Sequence, residues 1–267
     1  MDFSKVILMT DLDGTLLTDS KEILPEDMSA IRRFRAEGGI FTMATGRGYS
    51  MAKPVAQRLE LDVPAVIFNG AAVYDFNKDK FLWHSEIGAH ARDYVNMLIE
   101  RFSDIAIEVL CEEKVYVPSI NEIERKHLAL ERVQPVRCAV SEIPDGGWLK
   151  VLIAYPPEQM QQVIDFVEAN CKEKAHWVRS EAHYFEMLPV GVNKGSGFEQ
   201  LLRILGKEQL FTVGVGDYNN DLELIKQAKL GAAVGSAQEA VKEAADIVLC
   251  DNNSGAMAEL ISYIERL

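Results

Sequence analysis

The tightest constraint on this chain is the apolar run Lys5 to Thr10 (KVILMT), broken off by Asp11, Leu12, Asp13, Gly14 and Thr15. An almost unbroken hydrophobic run of that length reads as a parallel strand covered on both faces. A strand covered on both faces requires helices on either side of its sheet. Where the strand stops the character inverts: two acids one residue apart, then a glycine that can turn the chain.

The following residues repeat the strand–helix alternation. Pro25 to Glu37 reads as a helix, with Pro25 and two acids in its first turn, Met28, Ile31 and Phe34 at helical spacing, and Gly38-Gly39 as terminator. Ile40 to Ala44 is a second strand, Ser50 to Glu60 a helix whose start Pro54 limits, and Ala65 to Phe68 a third strand. Val73 to Phe76 and Phe81 to His84 form a hairpin across Asn77 to Lys80. After Pro189 the pattern resumes: strands at Leu210 to Val215, Gly231 to Val234 and Ile247 to Leu249, with helices at Phe198 to Leu205, Leu222 to Lys229 and the end. The fold class is therefore α/β, a doubly wound parallel sheet.

The middle of the chain departs from this pattern. Helical periodicity at Tyr94 to Phe102 and Met160 to Val167 alternates with strands at Lys114 to Val117, Lys150 to Ala154 and Tyr184 to Met187. That mixture implies an inserted α+β domain, residues 89–186, within a discontinuous core of residues 1–88 and 187–267. The acidic stretch Glu108 to Glu113 reads as a solvated edge. His176 and His183 read as structural residues of strands, unless they reach a ligand.

Charge and cysteine usage exclude several functions. Twenty-eight basic against forty-one acidic residues give a net charge of −13, which disfavours nucleic-acid binding. The four cysteines, Cys111, Cys138, Cys171 and Cys250, are far apart and form no CxxC pair, against a zinc site or a disulfide framework. No segment reads as a signal peptide or membrane span, so the cytoplasm is the expected compartment.

Chemistry concentrates at four strand ends. Residues two apart on an extended backbone point the same way, so Asp11 and Asp13 start on one face. A hard divalent cation with oxygen ligands, Mg²⁺ above all, relieves their repulsion and can bridge to a phosphate oxygen. One carboxylate can then attack phosphorus while its neighbour moves protons. Thr45 and Gly46 (ATGR) offer a hydroxyl and an unhindered N–H to an anion, whereas Arg47 is either a substrate contact or a surface charge. Lys194, in GVNKG, can neutralise transferring phosphoryl oxygens and hold Asp11 ionised, unless it is solvated like most lysines. Asp217 and Asp221 (GDYNND) add two acids: one can complete a metal shell and the other orient a metal-bound water or Lys194, although Asp221 and Asn219 also suit a helix N-cap. Unit charges about 4 Å apart interact by roughly 4 kcal/mol at an effective dielectric near 20. Four carboxylates and a phosphate dianion therefore need cations, and Mg²⁺ with Lys194 answers that need.

In this order, DLDGTL (11–16), ATGR (44–47), GVNKG (191–195) and GDYNND (216–221) resemble the four motifs of the haloacid dehalogenase (HAD) superfamily. The insert resembles those of its Cof-type hydrolases, subfamily IIB. The resemblance implies a Rossmann-like core and an inserted α+β cap that closes over the site and selects the leaving group. It implies a Mg²⁺-dependent phosphatase acting on small phosphorylated metabolites such as sugar phosphates, through a phosphoaspartate. By the same resemblance Asp11 is nucleophile and metal ligand, Asp13 is general acid and base and binds metal through its carbonyl, and Asp217 is the third ligand. Phosphate would be held by Leu12, Thr45, Gly46, Lys194 and Asn220, with Asp221 in support and Asn69-Gly70-Ala71 lining the pocket. Neither nucleic acid nor membrane is an expected partner.

Two alternatives share much of this chemistry. A phosphomutase would pass the phosphoryl group to a second hydroxyl, and a receiver-type signalling module would store it on an aspartate. The large insert favours hydrolysis over the first, and the DxD spacing argues against the second.

Overall fold

The computed structural model describes residues 1–112, 114–130 and 134–267. The chain divides into two compact units, one formed by Met1–Trp83 with Asn193–Leu267 and the other by His84–Val192.

The first unit opens with β1 (Val6–Thr10), α1 (Pro25–Ala36), β2 (Ile40–Met43) and α2 (Tyr49–Arg58). Three short strands follow, β3 (Ala65–Ile67), β4 (Ala72–Asp75) and β5 (Lys80–His84). All five residues of β1 are buried, as expected for a strand covered on both faces. Pro25 opens α1, where the missing N–H costs nothing. Pro54 does not limit the start of α2, which begins at Tyr49 behind the N-cap Gly48 and accommodates the proline inside. The Ala65–Ile67 strand joins the hairpin in a separate three-stranded sheet, touching the line of β2 through the parallel bridge Ala44–Val66.

In the second unit come α3 (His90–Arg101), β6 (Ala106–Cys111), β7 (Val115–Ser119) and α4 (Glu122–Leu130). They are followed by β8 (Trp148–Ala154), α5 (Met160–Asn170), β9 (His176–Glu181) and β10 (Tyr184–Leu188). The strands form one antiparallel sheet in the order β7-β6-β8-β10-β9. Side chains alternate between its faces. Ile107, Val109, Val151, Ile153, Phe185 and Met187 share one core with Val95 and Leu98 of α3 and Val163 and Val167 of α5. Glu108, Lys150 and Glu186 alternate with these residues, yet none is more than 4% exposed. The reading of 108–113 as a solvated edge therefore fails at Glu108, which is 1% exposed within β6. Glu112, past the strand end, does meet solvent and pairs with His84 at 2.8 Å, while Glu113 lies outside the described residues.

The chain then completes the first unit with α6 (Lys194–Leu205), β11 (Phe211–Gly216), α7 (Leu222–Gln227) and β12 (Leu230–Ala233). The last elements are α8 (Glu239–Ala244), β13 (Ile247–Val248) and α9 (Ala256–Arg266). Five strands form a parallel sheet in the order β13-β12-β11-β1-β2. Ile7, Met9, Ala44, Val66, Phe198, Leu201 and Leu224 form a core there. The register sets Thr10 opposite both Met43 and Val215. The carboxyl ends of β1, β2 and β11 are thus level, and the residues after them emerge together. No helix among the described residues is long and apolar enough to cross a membrane.

Candidate active site

Asp11 follows the last residue of β1, and its N–H still donates to the carbonyl of Val215 at 2.9 Å, so its direction is set by the sheet ladder. The residue is 5% exposed. Gly14 then turns the chain in the left-handed region, at φ +80°. A Cβ at Gly14 would stand 2.6 Å from Oδ2 of Asp217, so the close approach of Asp217 as well as the turn excludes other residues. The Thr15 hydroxyl donates to Oδ1 of Asp217 at 2.9 Å and fixes that carboxylate beside the loop.

Lys194 is the first residue of α6, whose N-cap Asn193 accepts from the N–H of Ser196 at 2.8 Å. That cap sets the start of the helix, and the lysine runs inward at 1% exposure. Its Nζ donates to Oδ1 of Asp11 and to Oδ1 of Asp221, each at 2.6 Å. Oδ2 of Asp221 accepts from the backbone N–H groups of Asp217 and Tyr218, at 3.0 and 3.1 Å. Both oxygens of Asp221 are therefore occupied within the protein, and its work is to orient Lys194 and the β11–α7 turn.

The three carboxylates Asp11, Asp217 and Asp221 each offer an oxygen within 4.8 Å of the others. One ammonium does not balance two buried acids and a half-buried third. Burial pushes the Asp11 carboxyl well above the ordinary range, Lys194 opposes it, and the charges of Asp221 and Asp217 add to it. Burial and Asp221 push Asp217 up to about 7, against hydrogen bonds from Thr15 and Asp11. Burial works against the charged form of Lys194, but Asp11 and Asp221 outweigh it and keep the ammonium protonated. This excess of negative charge fits a bound cation, and Asp11 and Asp217 are the acids whose oxygens are not both committed elsewhere.

Asp13 is engaged by different partners. Arg47 grips it through Nε to Oδ2 and Nη2 to Oδ1, both at 2.8 Å, and Lys21 adds a contact of 2.7 Å. Burial raises the Asp13 carboxyl, but Arg47 and Lys21 more than reverse this and hold it at about 2. Arg47 is thus a partner of Asp13 and is not a free surface charge. Lys21 is absent from the sequence reading: it sits in a loop at φ 62°, and an isolated lysine carries no signal of its destination.

Thr45 is 1% exposed, its N–H on the Val66 carbonyl at 3.0 Å and its carbonyl accepting from Asn69 N–H at 2.9 Å. Gly46 lies so near the Asn69 amide that a Cβ would come within 3.0 Å of Nδ2. Asn69 has left-handed backbone, at φ 53°, and accepts at Oδ1 from Nδ2 of Asn220 at 3.0 Å. Oδ1 of Asn220 is buried without a hydrogen-bond partner. Leu12 is fully buried, so only its backbone is available to a ligand. Every residue singled out in the four motifs thus lies at the carboxyl ends of β1, β2 and β11 or at the start of α6.

The profile of the haloacid dehalogenase-like hydrolases matches residues 8–261. The pyridoxal phosphate phosphatase YbhA of Escherichia coli is 26% identical over 96% of this chain and 97% of its own. The HMP-PP phosphatase of Serratia proteamaculans is 27% identical over 87% and 84%. Among solved structures, a HAD subclass IIB sugar phosphatase has a TM-score of 0.84 at 20% identity, over 98% of this chain and 99% of its own. With a family profile spanning nearly the whole chain over a parallel-sheet core of this topology, the protein belongs to the haloacid dehalogenase-like hydrolases, in their Cof-type phosphatase branch.

Proposed function

We propose that the protein is a Mg²⁺-dependent phosphatase that hydrolyses small phosphorylated metabolites through a phosphoaspartate on Asp11. The observation that carries this reading is the buried carboxylate at the end of β1, tied at 2.6 Å to Lys194 and neighboured by Asp217 in a charge-deficient cluster. Asp11, Asp217 and the backbone carbonyl of Asp13 would hold Mg²⁺. Bound there, the ion supplies charge neutralisation for the phosphate and for the attacking carboxylate.

Asp11 is the nucleophile, positioned by β1 and by Lys194. The ammonium of Lys194 also faces the oxygens of the arriving phosphoryl group. Thr45, Gly46 and Asn220 surround the phosphate, which Asn220 would reach by turning its amide N–H from Asn69 toward it, since its Oδ1 only accepts. Asp13 gives its proton to the leaving oxygen and then activates water. A carboxyl held at about 2 is a poor donor at neutral pH. Before proton transfer Asp13 must therefore loosen its contacts with Arg47 or Lys21. The inserted unit acts as the cap, and the metabolite class, sugar phosphates or related esters, follows the activities for which the relatives are named. Those relatives favour neither a mutase nor a receiver module.

Asp11→Asn replaces the attacking oxygen by an amide of equal size. Turnover of p-nitrophenyl phosphate with Mg²⁺ should fall by at least about 10³-fold while the fold persists. Retention of most of the wild-type rate by the folded variant would remove Asp11 from the mechanism.

A further inference from the structure

We propose that Asn252, in the turn between β13 and α9, is a positioning residue for the Asp11 cluster, because it pins the loop after β1 that carries Asp13, Thr15 and Lys21. On the phosphatase reading, on which this role rests, Asn252 touches neither metal nor phosphate and acts through the backbone of Leu17.

Asn252 is 3% exposed, and a buried amide is costly unless its atoms are paired. Its Nδ2 donates to the Leu17 carbonyl at 3.0 Å and to Oδ1 of Asp19 at 3.2 Å, while its Oδ1 accepts from the Ser236 hydroxyl at 3.0 Å. Asn253 adds a second tie, its Oδ1 accepting from the N–H of Asp19 at 3.1 Å. Two successive asparagines thus hold loop residues that lie 235 and 234 positions away in the chain.

The turn that carries them is itself fixed. Gly235, just past β12, donates its N–H to the Cys250 carbonyl at 3.0 Å, and a Cβ there would stand 3.0 Å from the carbonyl oxygen of Leu249. Ser254 closes the turn on Asp251, with its N–H on the carbonyl at 3.0 Å and its hydroxyl on Oδ1 at 2.8 Å. The N–H of Cys250 donates to Glu259 of α9 at 2.6 Å. Asn252 therefore extends from a braced base at the ends of β12 and β13.

From Leu17 the constraint passes directly into the cluster. The N–H of Leu17 donates to the Leu12 carbonyl at 2.8 Å, and Leu17 forms a bridge with Asp13. Leu12 stands between the attacking carboxylate and Asp13, whose carbonyl would hold Mg²⁺. Two residues before Leu17, the Thr15 hydroxyl holds Asp217 at 2.9 Å. On the other side of Leu17 the N–H of Lys21 donates to the Thr18 carbonyl at 2.8 Å, and its Nζ reaches Asp13 at 2.7 Å. Releasing the Leu17 carbonyl would loosen both sides at once, and a misplacement of about 1 Å transmitted to a reacting group can cost about 10²-fold in rate.

The test uses full-length protein with Mn²⁺ as a stand-in for Mg²⁺, free Mn²⁺ being counted by electron paramagnetic resonance. The ion at the Asp11 cluster is the one lost in Asp217→Ala. Asn252→Ala should bind that ion at least about fivefold more weakly, as expected when hydrogen bonds supporting metal ligands are lost. Its kcat for p-nitrophenyl phosphate at saturating Mg²⁺ should fall at least about fivefold as well. Circular dichroism identifies a variant that has failed to fold, and Asn252→Leu, which loses the same bonds at similar volume, then decides. A lowered Tm with a smaller change in either Mn²⁺ affinity or kcat would make the asparagine merely structural and overturn the inference. A raised KM at unchanged kcat would overturn it by making Asn252 a substrate contact. If the parent binds no ion that Asp217→Ala removes, the cation reading of the cluster fails and the role of Asn252 with it. That failure shows in the parent, whereas failure of the Asn252 role alone shows only in the variants.

Discussion

Lys194→Met removes one charge from the centre of the Asp11 cluster while keeping most of the side-chain volume. In the native chain the Nζ is 2.6 Å from both Asp11 and Asp221, and the lysine is 1% exposed, so no water replaces the lost ammonium cheaply. Removing one member of a buried ion pair costs about 3–5 kcal/mol, because the surviving charge stays desolvated. For a chain of this size each kcal/mol moves Tm by roughly 2–4 °C, so a loss of about 10 °C is expected at pH 8 without Mg²⁺. The loss should be smaller at pH 5, where the acids, already pushed up by burial, can take protons and shed the uncompensated charge. Thermal unfolding at both pH values measures this, and phosphate release measures the accompanying loss of turnover. A shift under about 2 °C at pH 8, or equal shifts at both pH values, would refute the view that Lys194 is the charge on which the acids depend.

Two further expectations follow from the same cluster. In metal-free protein Asp217 titrates near 7 and Asp11 is also raised, so the folded state keeps protons that unfolded carboxylates release near about 4. Stability should then fall as pH rises from about 4 to 7, and Mg²⁺ should flatten the fall by taking the proton's place; a Tm profile indifferent to Mg²⁺ would count against a cation at Asp217. Gly14→Ala should weaken Mg²⁺ activation at least about tenfold, since its Cβ would press on Asp217 from 2.6 Å, beyond about 1–2 kcal/mol for the left-handed backbone. Gly206→Ala is the control: at φ +63° with nothing within 4 Å it carries the backbone cost alone, and similar Mg²⁺ activation in both variants would discount the contact with Asp217.

Much of the first unit was legible because its signals are local. The apolar runs that become β1, β2, β11 and β12 are strands buried on both faces, and each ends where a polar or glycine residue begins. Parallel strands in level register bring their next residues together, so motifs separated by most of the chain converge without any long-range signal. The role of Arg47 was not legible, because a guanidinium after a strand gives no sign of whether it faces ligand or carboxylate. Its grip on Asp13 depends on loop geometry that brings 13, 21 and 47 together. Pro54 misled for a related reason: a proline is costly inside a helix, yet α2 buries Met51, Ala52, Val55 and Ala56, and that packing offsets one missing ladder bond.

The inserted unit was least legible where charge overrides pattern. β6 alternates Ile107 and Val109 inward with Glu108 between them, and hydropathy alone assigns such a glutamate to water. What buries it is α4, which lays Glu124 and His127 against that face, and no apolar periodicity announces a helix whose important side is charged.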